Sequence, residues 1–195
     1  MVGEGRMALT LKPPKPVTDE ELLEFSRRNP GLQFERSAGG ELIVTPTGSA
    51  SGRRELALGA QLARWAEERG GGVAFGSSAG FRMADGAILS PDASWMRRDR
   101  WDALTEADRE GFAPLCPDAV FEIASQSDAL GTLREKMDAY LGYGAKLAVL
   151  IDPYNRTVEV FQAGETTRTL RSPTTLSLDP VLPGLVLETT ALFEI

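Results

Sequence analysis

Residues 117–128 read PDAVFEIASQSD, and this stretch decides the fold. Most of its central residues suit a strand in a covered sheet: Val120, Phe121, Ile123 and Ala124. Glu122 interrupts them, and burying an unpaired carboxylate costs several kcal/mol or forces it to take up a proton. Because alternate strand residues share a face, Glu122 points with Val120 and Ala124. The sequence therefore predicts that this acid has a partner on its own face of the sheet.

The surrounding patterns predict an α/β (α+β) fold. Helical spacing, caps and glycine stops indicate helices over 18–30, 51–69 and 128–142. Apolar and alternating runs indicate strands within 32–46 (a hairpin turning at 38–40), 72–83, 87–96, 119–125, 146–152 and 156–162. Residues 101–111 are predicted as a short polar helix or loop, and 180–195 as a terminal strand or short helix. This order predicts a mixed β-sheet flanked by helices.

The length and composition predict one ordinary soluble domain. The chain has 195 residues, of which 42% are hydrophobic and 25% are charged. We expect residues 1–17, which end in the proline-rich KPPKP, to be a flexible N-terminal arm, and residues 18–195 to form a single domain. No apolar run approaches the roughly 20 residues that cross a bilayer, and the N-terminus lacks a secretory pattern, so a cytoplasmic location is expected.

Two absences restrict the chemistry. The chain has no histidine, which excludes Ser-His-Asp triads and histidine-based zinc hydrolases. Its single cysteine, Cys116, excludes an internal disulfide and a thiolate-rich zinc site. A net charge of −7 argues against a generally basic nucleic-acid-binding surface, although a local basic groove stays possible. Catalysis would therefore depend on carboxylates, lysine, arginine, hydroxyls or Cys116.

Two acids fall in predicted strands that can be neighbours. Asp92 follows Pro91 in ILSPDASWM, and Glu122 lies in AVFEIAS. If the strands pair, both carboxylates can converge on one divalent ion, and an oxygen-only site favours Mg²⁺ or Mn²⁺. The alternative is structural: Asp92 caps a turn, and Glu122 pairs with an arginine.

Lys136 lies at the edge of the apolar stripe of the third predicted helix. That stripe consists of Leu130, Leu133, Met137, Tyr140 and Leu141. A lysine facing the sheet from the helix that follows the Glu122 strand can reach the same cleft, where it would hold a phosphate or orient a water. The alternative is that its stem lies on the apolar surface while its ammonium reaches solvent.

The ordered motifs resemble the Uma-type family of restriction-endonuclease-like proteins, in the PD-(D/E)xK nuclease superfamily. The resemblance rests on SPDASWM, PDAVFEIAS and REKMDAYLGYGAKLAVLIDP, and extends through GGELIVTPTGSASGRRELALGAQL and PVLPGLVL. It implies a restriction-endonuclease-like core. Asp92, Glu122 and Lys136 fall on the family's two acids and its lysine, with Tyr140 as the tyrosine of the lysine motif. The wider superfamily has its lysine two residues after the second acid, where this chain has Ala124.

The resemblance also implies a function, metal-dependent hydrolysis of nucleic acid, with DNA the expected substrate. Asp92, Glu122 and the carbonyl of Ile123 would hold Mg²⁺ or Mn²⁺, and Lys136 would stabilise the transition state. Glu41 and Glu55 are further candidate acids. A rival interpretation is a catalytically inactive nuclease fold that binds nucleic acid or serves assembly.

Two groups of arginines are candidate nucleic-acid contacts. Arg97, Arg98 and Arg100 lie between Trp95 and Trp101, where guanidinium and aromatic groups can contact phosphates and bases. The alternative is a solvated loop whose tryptophans close the core. Arg53 and Arg54 begin the second helix. A homodimer or higher homo-oligomer is what the superfamily resemblance implies.

Overall fold

The computed structural model describes residues 8–69 and 71–194. The strands are β1 (Leu9–Leu11), β2 (Leu32–Arg36), β3 (Leu42–Pro46), β4 (Gly72–Gly76), β5 (Phe81–Arg82), β6 (Ile88–Leu89), β7 (Ala93–Arg97), β8 (Ala119–Ile123), β9 (Leu147–Asp152), β10 (Thr157–Gln162), β11 (Arg168–Arg171), β12 (Thr175–Ser177) and β13 (Val186–Glu188). The helices are α1 (Asp19–Arg28), α2 (Ser49–Arg69), α3 (Arg98–Asp102), α4 (Glu106–Glu110), α5 (Leu130–Gly142) and α6 (Thr190–Phe193).

Strand β8, which carries Glu122, is central in a mixed sheet of order β11-β10-β9-β8-β7-β4. It pairs in parallel with β9, so Ile123 lies beside Ile151, and antiparallel with β7, so Ala93 lies beside Phe121. The remaining pairs of this sheet are antiparallel. This arrangement brings Asp92, just before β7, to the carboxyl end of β8.

Helices cover both faces of this sheet, as the sequence predicts. On one face, α2 buries Leu58 and Leu62 against Phe121 and Ile123 of β8. On the other face, α5 buries Met137 and Tyr140 in the cluster that contains Val120 and Ala124. The predicted alternation along β8 is therefore confirmed, and Glu122 faces α5.

A second sheet of order β1-β3-β2-β6-β5 packs with α1. The predicted hairpin is present as β2 and β3, and α1 begins at the capping box that Thr18 and Glu21 form. Residues 1–7 of the predicted arm lie outside the described residues. Leu9–Leu11, also within that arm, forms a strand paired with β3, since its backbone groups find partners at the sheet edge.

The helical spacing of Leu56, Leu58, Leu62 and Trp65 predicts an apolar stripe along α2, and this prediction is wrong at one position. Leu58, Leu62 and Trp65 are buried, but Leu56 is 74% exposed. Arg54, only 1% exposed, is the residue that continues the stripe four positions before Leu58. Among the described residues, no helix is both long and apolar enough to cross a membrane.

Candidate functional site

Glu122 has two partners on α5. Its Oε1 lies 2.8 Å from Nζ of Lys136 and accepts a hydrogen bond from the hydroxyl of Tyr140 at 3.1 Å. The one-turn spacing of Lys136 and Tyr140 brings both residues over the same strand. The structure places Lys136 against Glu122, as the sequence predicts, and its ammonium is held there by an ion pair. Ala124, where the wider superfamily has its lysine, is buried on the same face of β8.

Glu35 of β2 is a member of the site that the sequence reasoning missed. Its Oε1 lies 3.1 Å from Nζ of Lys136 and accepts a hydrogen bond from the backbone N–H of Ser90 at 2.6 Å. Lys136 therefore lies between two buried carboxylates, those of Glu35 and Glu122. The available signal was Glu35 itself, a charged residue next to Phe34 in the middle of a predicted strand.

Asp92 lies at the same end of the sheet. Its Oδ2 accepts a hydrogen bond from the backbone N–H of Ile123 at 2.7 Å, which fixes the carboxylate beside the end of β8. Asp92 and Glu55 line one cavity of about 390 Å³ between α2 and β4. Small residues form much of its wall: Gly52, Gly59, Ala60, Ala63, Ala74 and Gly76. The cavity leaves room for a ligand next to both acids.

The acids outnumber the cations in this cluster, and the pKa values reflect this. Burial raises the pKa of Asp92 well above its ordinary value, and the negative charges of Glu122 and Glu55 add to the effect. Burial also raises the pKa of Glu122 to about 6, against the opposing effect of Lys136. Burial alone would lower the pKa of Lys136, but Glu122 and Glu35 outweigh it and raise that pKa. The Lys136 ammonium is thus firmly protonated.

The donor set fits a hard divalent cation that keeps water ligands. Glu122 uses Oε1 for its contacts with Lys136 and Tyr140, and Asp92 uses Oδ2 for Ile123. Each carboxylate has a second oxygen, and oxygen donors suit Mg²⁺ or Mn²⁺. In the described part of the chain, no three acidic or cysteine side chains are grouped so as to hold a metal by themselves. These residues therefore permit a cation that is held by two carboxylates and completed by backbone and water ligands.

The tryptophan-flanked arginines do not lie at this end of the sheet. Asp92 precedes the first residue of β7 and Arg97 is its last, a separation of about 16 Å along an extended strand. Arg97 pairs with Asp99, Arg98 donates to the carbonyl of Gly72, and Arg100 pairs with Asp118. That Arg97, Arg98 and Arg100 contact nucleic acid stays a prediction, but β7 carries them away from Asp92 to the opposite end of the sheet.

Three other predicted residues have different surroundings. Arg53 is exposed, and its Nη1 donates to the carbonyls of Ala191 and Glu194 in and beside α6. Arg54 is buried, and its guanidinium lies 5.5 Å from the ring centre of Tyr154. Glu41 contacts Ser37 in the hairpin turn. The acid of the second sheet that contacts Lys136 is Glu35.

The mixed sheet, with helices on both faces and acids at the end of its central strands, defines a restriction-endonuclease-like fold. The sequence profile of the Uma2 family, described as "Putative restriction endonuclease", matches residues 19–190. Because this match spans most of the chain, the protein belongs to the Uma2 family. The predicted resemblance and fold class are confirmed.

A solved structure shares this fold. A protein of Anabaena variabilis ATCC 29413, described as "a putative nuclease belonging to DUF820", superposes with a TM-score of 0.72 at 19% identity, covering 91% of this chain and 98% of that one. The DrdV–DNA complex matches with a TM-score of 0.40 at 18% identity, over 60% of this chain and 10% of that one, too low to establish a common fold. No curated protein gives a significant sequence match.

Proposed function

We propose that this protein is a metal-dependent nuclease that hydrolyses phosphodiester bonds of DNA. The observation that carries the proposal is Asp92, whose carboxylate is fixed by the backbone of Ile123 beside Glu122 and next to an open cavity. Burial, together with the negative charges of Glu122 and Glu55, raises its pKa, as is common at functional sites. Membership of a restriction-endonuclease family supports the same reaction class.

Asp92 and Glu122 would hold the metal through Oδ1 and Oε2, the oxygens not used in the contacts described above, together with the carbonyl of Ile123. Glu55, which lines the same cavity as Asp92, would bind a water ligand of that ion. When bound, a Mg²⁺ or Mn²⁺ ion would lower the pKa of a water molecule and neutralise charge on the phosphate. Neither role requires a histidine, in agreement with the composition.

Lys136 would supply a fixed positive charge toward the non-bridging phosphate oxygens. From α5, Lys136 would take the role of the lysine that the wider superfamily has at the position of Ala124. Glu35 is a positioning residue in this proposal, because it binds the same ammonium as Glu122. Tyr140 restrains Glu122 through the same oxygen that contacts Lys136.

Nicking of supercoiled plasmid DNA in Mg²⁺ or Mn²⁺ tests the proposal. We expect Asp92→Asn to lower the rate at least about 100-fold, because the variant loses one of two anionic metal ligands. Asp138→Asn, an exposed change on the outer side of α5, is the matched control. Equal nicking by wild type and Asp92→Asn would show that the activity comes from another site or from a contaminant.

The rival function is a nuclease fold that binds nucleic acid without cleaving it. It is favoured by the ammonium of Lys136, which already has two carboxylate partners, and by the lack of a three-acid metal group among the described residues. DNA binding with no metal-dependent cleavage would identify this alternative.

The cellular setting and assembly are also part of the proposal. The free, buried thiol of Cys116 is compatible with the reducing cytoplasm. A homodimer or higher homo-oligomer, which the superfamily resemblance implies, would join two clefts on one duplex. Light scattering coupled to size-exclusion chromatography measures that state directly.

A further inference from the structure

Arg54 occupies a core position without the partner that a buried cation needs. It continues the stripe of Leu58 and Leu62 on α2, where an apolar residue would be expected, and it is 1% exposed. Its Nε donates no hydrogen bond to any described residue. Its guanidinium lies 5.5 Å from the ring centre of Tyr154, which is itself 45% exposed. A buried guanidinium is unfavourable unless it is paired, so this position lacks an anion.

Two further arginines lie around the same point. Arg53 donates to the carbonyls at the end of α6, and the guanidinium of Arg156 lies 5.1 Å from the ring centre of Phe193 in that helix. Within residues 8–69 and 71–194, no carboxylate forms an ion pair with Arg53, Arg54 or Arg156. In a chain of net charge −7, three unpaired arginines at one place are a local excess of positive charge. We call these three residues the arginine cluster.

The helix start adds to this excess. The first turn of α2 contains no acidic residue, whereas α1 begins with Asp19, Glu20 and Glu21. The amino end of a helix carries partial positive charge, so cations there are unfavourable and anions are favoured. No acidic side chain of the first turn therefore neutralises the partial positive charge at the start of α2, one turn before Arg53 and Arg54.

The arginine cluster adjoins the acid cluster. Arg54 precedes Glu55, which lines the cavity with Asp92. Tyr154 and Arg156 follow the end of β9, which pairs in parallel with the end of β8 where Ile123 fixes Asp92. Neighbouring strands lie about 5 Å apart. One nucleic-acid strand can thus place a phosphate at each cluster.

We propose that the arginine cluster binds a backbone phosphate of DNA next to the phosphodiester at Asp92, and that Tyr154 covers Arg54 until DNA binds. This inference rests on the proposed function for its substrate, and it assigns the residues that hold that substrate. Arg97, Arg98 and Arg100, at the opposite end of the sheet, take no part.

The test is DNA binding without catalysis. A fluorescein-labelled DNA duplex is titrated in EDTA and followed by fluorescence anisotropy between about 50 and 200 mM salt. We expect Arg54→Met to weaken binding about tenfold and to reduce the salt slope by about one, as for the loss of one phosphate contact. Arg64→Gln, an exposed arginine of the same helix, is the control and should bind as wild type does.

Thermal unfolding separates binding from a structural role. Removing an unpaired buried charge should raise the Tm of Arg54→Met by about 2–4 °C. If Arg54 instead serves the core, Arg54→Met will lower the Tm and bind DNA normally, which overturns the proposal. Should that variant fail to fold, the exposed changes Arg53→Gln and Arg156→Gln carry the test, with an expected loss of about threefold each. Unaltered binding by both would also overturn it.

The outcomes also distinguish this inference from the catalytic proposal. Binding that depends on Arg54 in EDTA, without cleavage in Mg²⁺, would keep the phosphate site and refute the nuclease activity. Metal-dependent cleavage with equal DNA affinity in wild type and Arg54→Met would do the reverse. A wild-type protein that shows no salt-dependent DNA binding would refute the phosphate site.

Discussion

The two ends of strand β8 carry acids in contrasting surroundings. At the amino end, Asp118 is buried but fully engaged: Oδ1 lies 2.9 Å from Arg100, and Oδ2 accepts the backbone N–H of Arg97 at 2.9 Å. At the carboxyl end, Asp92 has one backbone hydrogen bond, and Glu122 shares Lys136 with Glu35. The amino end has the charge balance of a structural ion pair. The carboxyl end is short of positive charge, as expected for a site that binds a cation.

Lys136→Met should give the largest loss of stability at the carboxyl end. It removes the cation between Glu35 and Glu122, leaving two buried carboxylates, at a cost of about 3 kcal/mol near neutral pH. Urea unfolding measures this loss, which should shrink at pH 5, where Glu122 takes up a proton. A loss that does not depend on pH would show that Lys136 stabilises the fold through packing alone.

Neutralising one acid at each end sharpens the contrast. Asp118→Asn should destabilise the protein by about 2–3 kcal/mol, because Arg100 loses its carboxylate partner. Asp92→Asn should instead stabilise the metal-free protein by about 1 kcal/mol, since an asparagine oxygen still accepts the Ile123 N–H without a buried charge. The free energies of unfolding in EDTA should therefore change with opposite signs. Changes of the same sign would remove the distinction between the two ends.

Glu122 predicts a pH dependence of stability. Its pKa rises from 4.5 to about 6 on folding, so the folded state binds more protons than the unfolded state between these values. Stability from this group is present below about pH 4.5 and is lost as pH rises through 6, an effect of about 2 kcal/mol. The difference in unfolding free energy between wild type and Glu122→Gln should fall by about 1.5 kcal/mol from pH 4.5 to 6.5. A constant difference would mean that Lys136 holds Glu122 ionised throughout.

Arg97→Gln should have the smallest effect. Arg97 and Asp99 are both more than half exposed, and such pairs contribute less than about 0.5 kcal/mol. Neither DNA affinity nor cleavage should change, because β7 carries Arg97 away from Asp92. Weaker DNA binding by this variant would restore the tryptophan-flanked arginines as a substrate surface.

The sequence predicted those parts of the fold that depend on local periodicity. Alternation along β8 predicted the face of Glu122, and helical spacing placed Lys136 and Tyr140 on the side of α5 that covers it. The predicted position of Asp92 near Glu122 depended on their two strands being neighbours. The pairing of β7 with β8 confirms that they are.

Contacts between distant segments were not predictable in the same way. Glu35 meets Lys136 across 101 positions of the chain, and only the packing of the second sheet brings them together. On α2, the charged residue Arg54 occupies a core position, which the spacing of apolar residues does not reveal. The same spacing predicts that Leu56 is buried, whereas Leu56 is exposed. Both misses concern charged residues in buried positions, where function and stability impose different requirements.

Calorimetric titration of Mn²⁺ tests the central claim most directly. Wild type, Asp118→Asn and Asp92→Asn are compared in the same buffer, without DNA, so that binding is read independently of cleavage. The account predicts carboxylate-dependent binding in wild type and Asp118→Asn, and its loss in Asp92→Asn. Identical Mn²⁺ binding in all three proteins, or none in wild type, would contradict a cation site at the carboxyl end of β8.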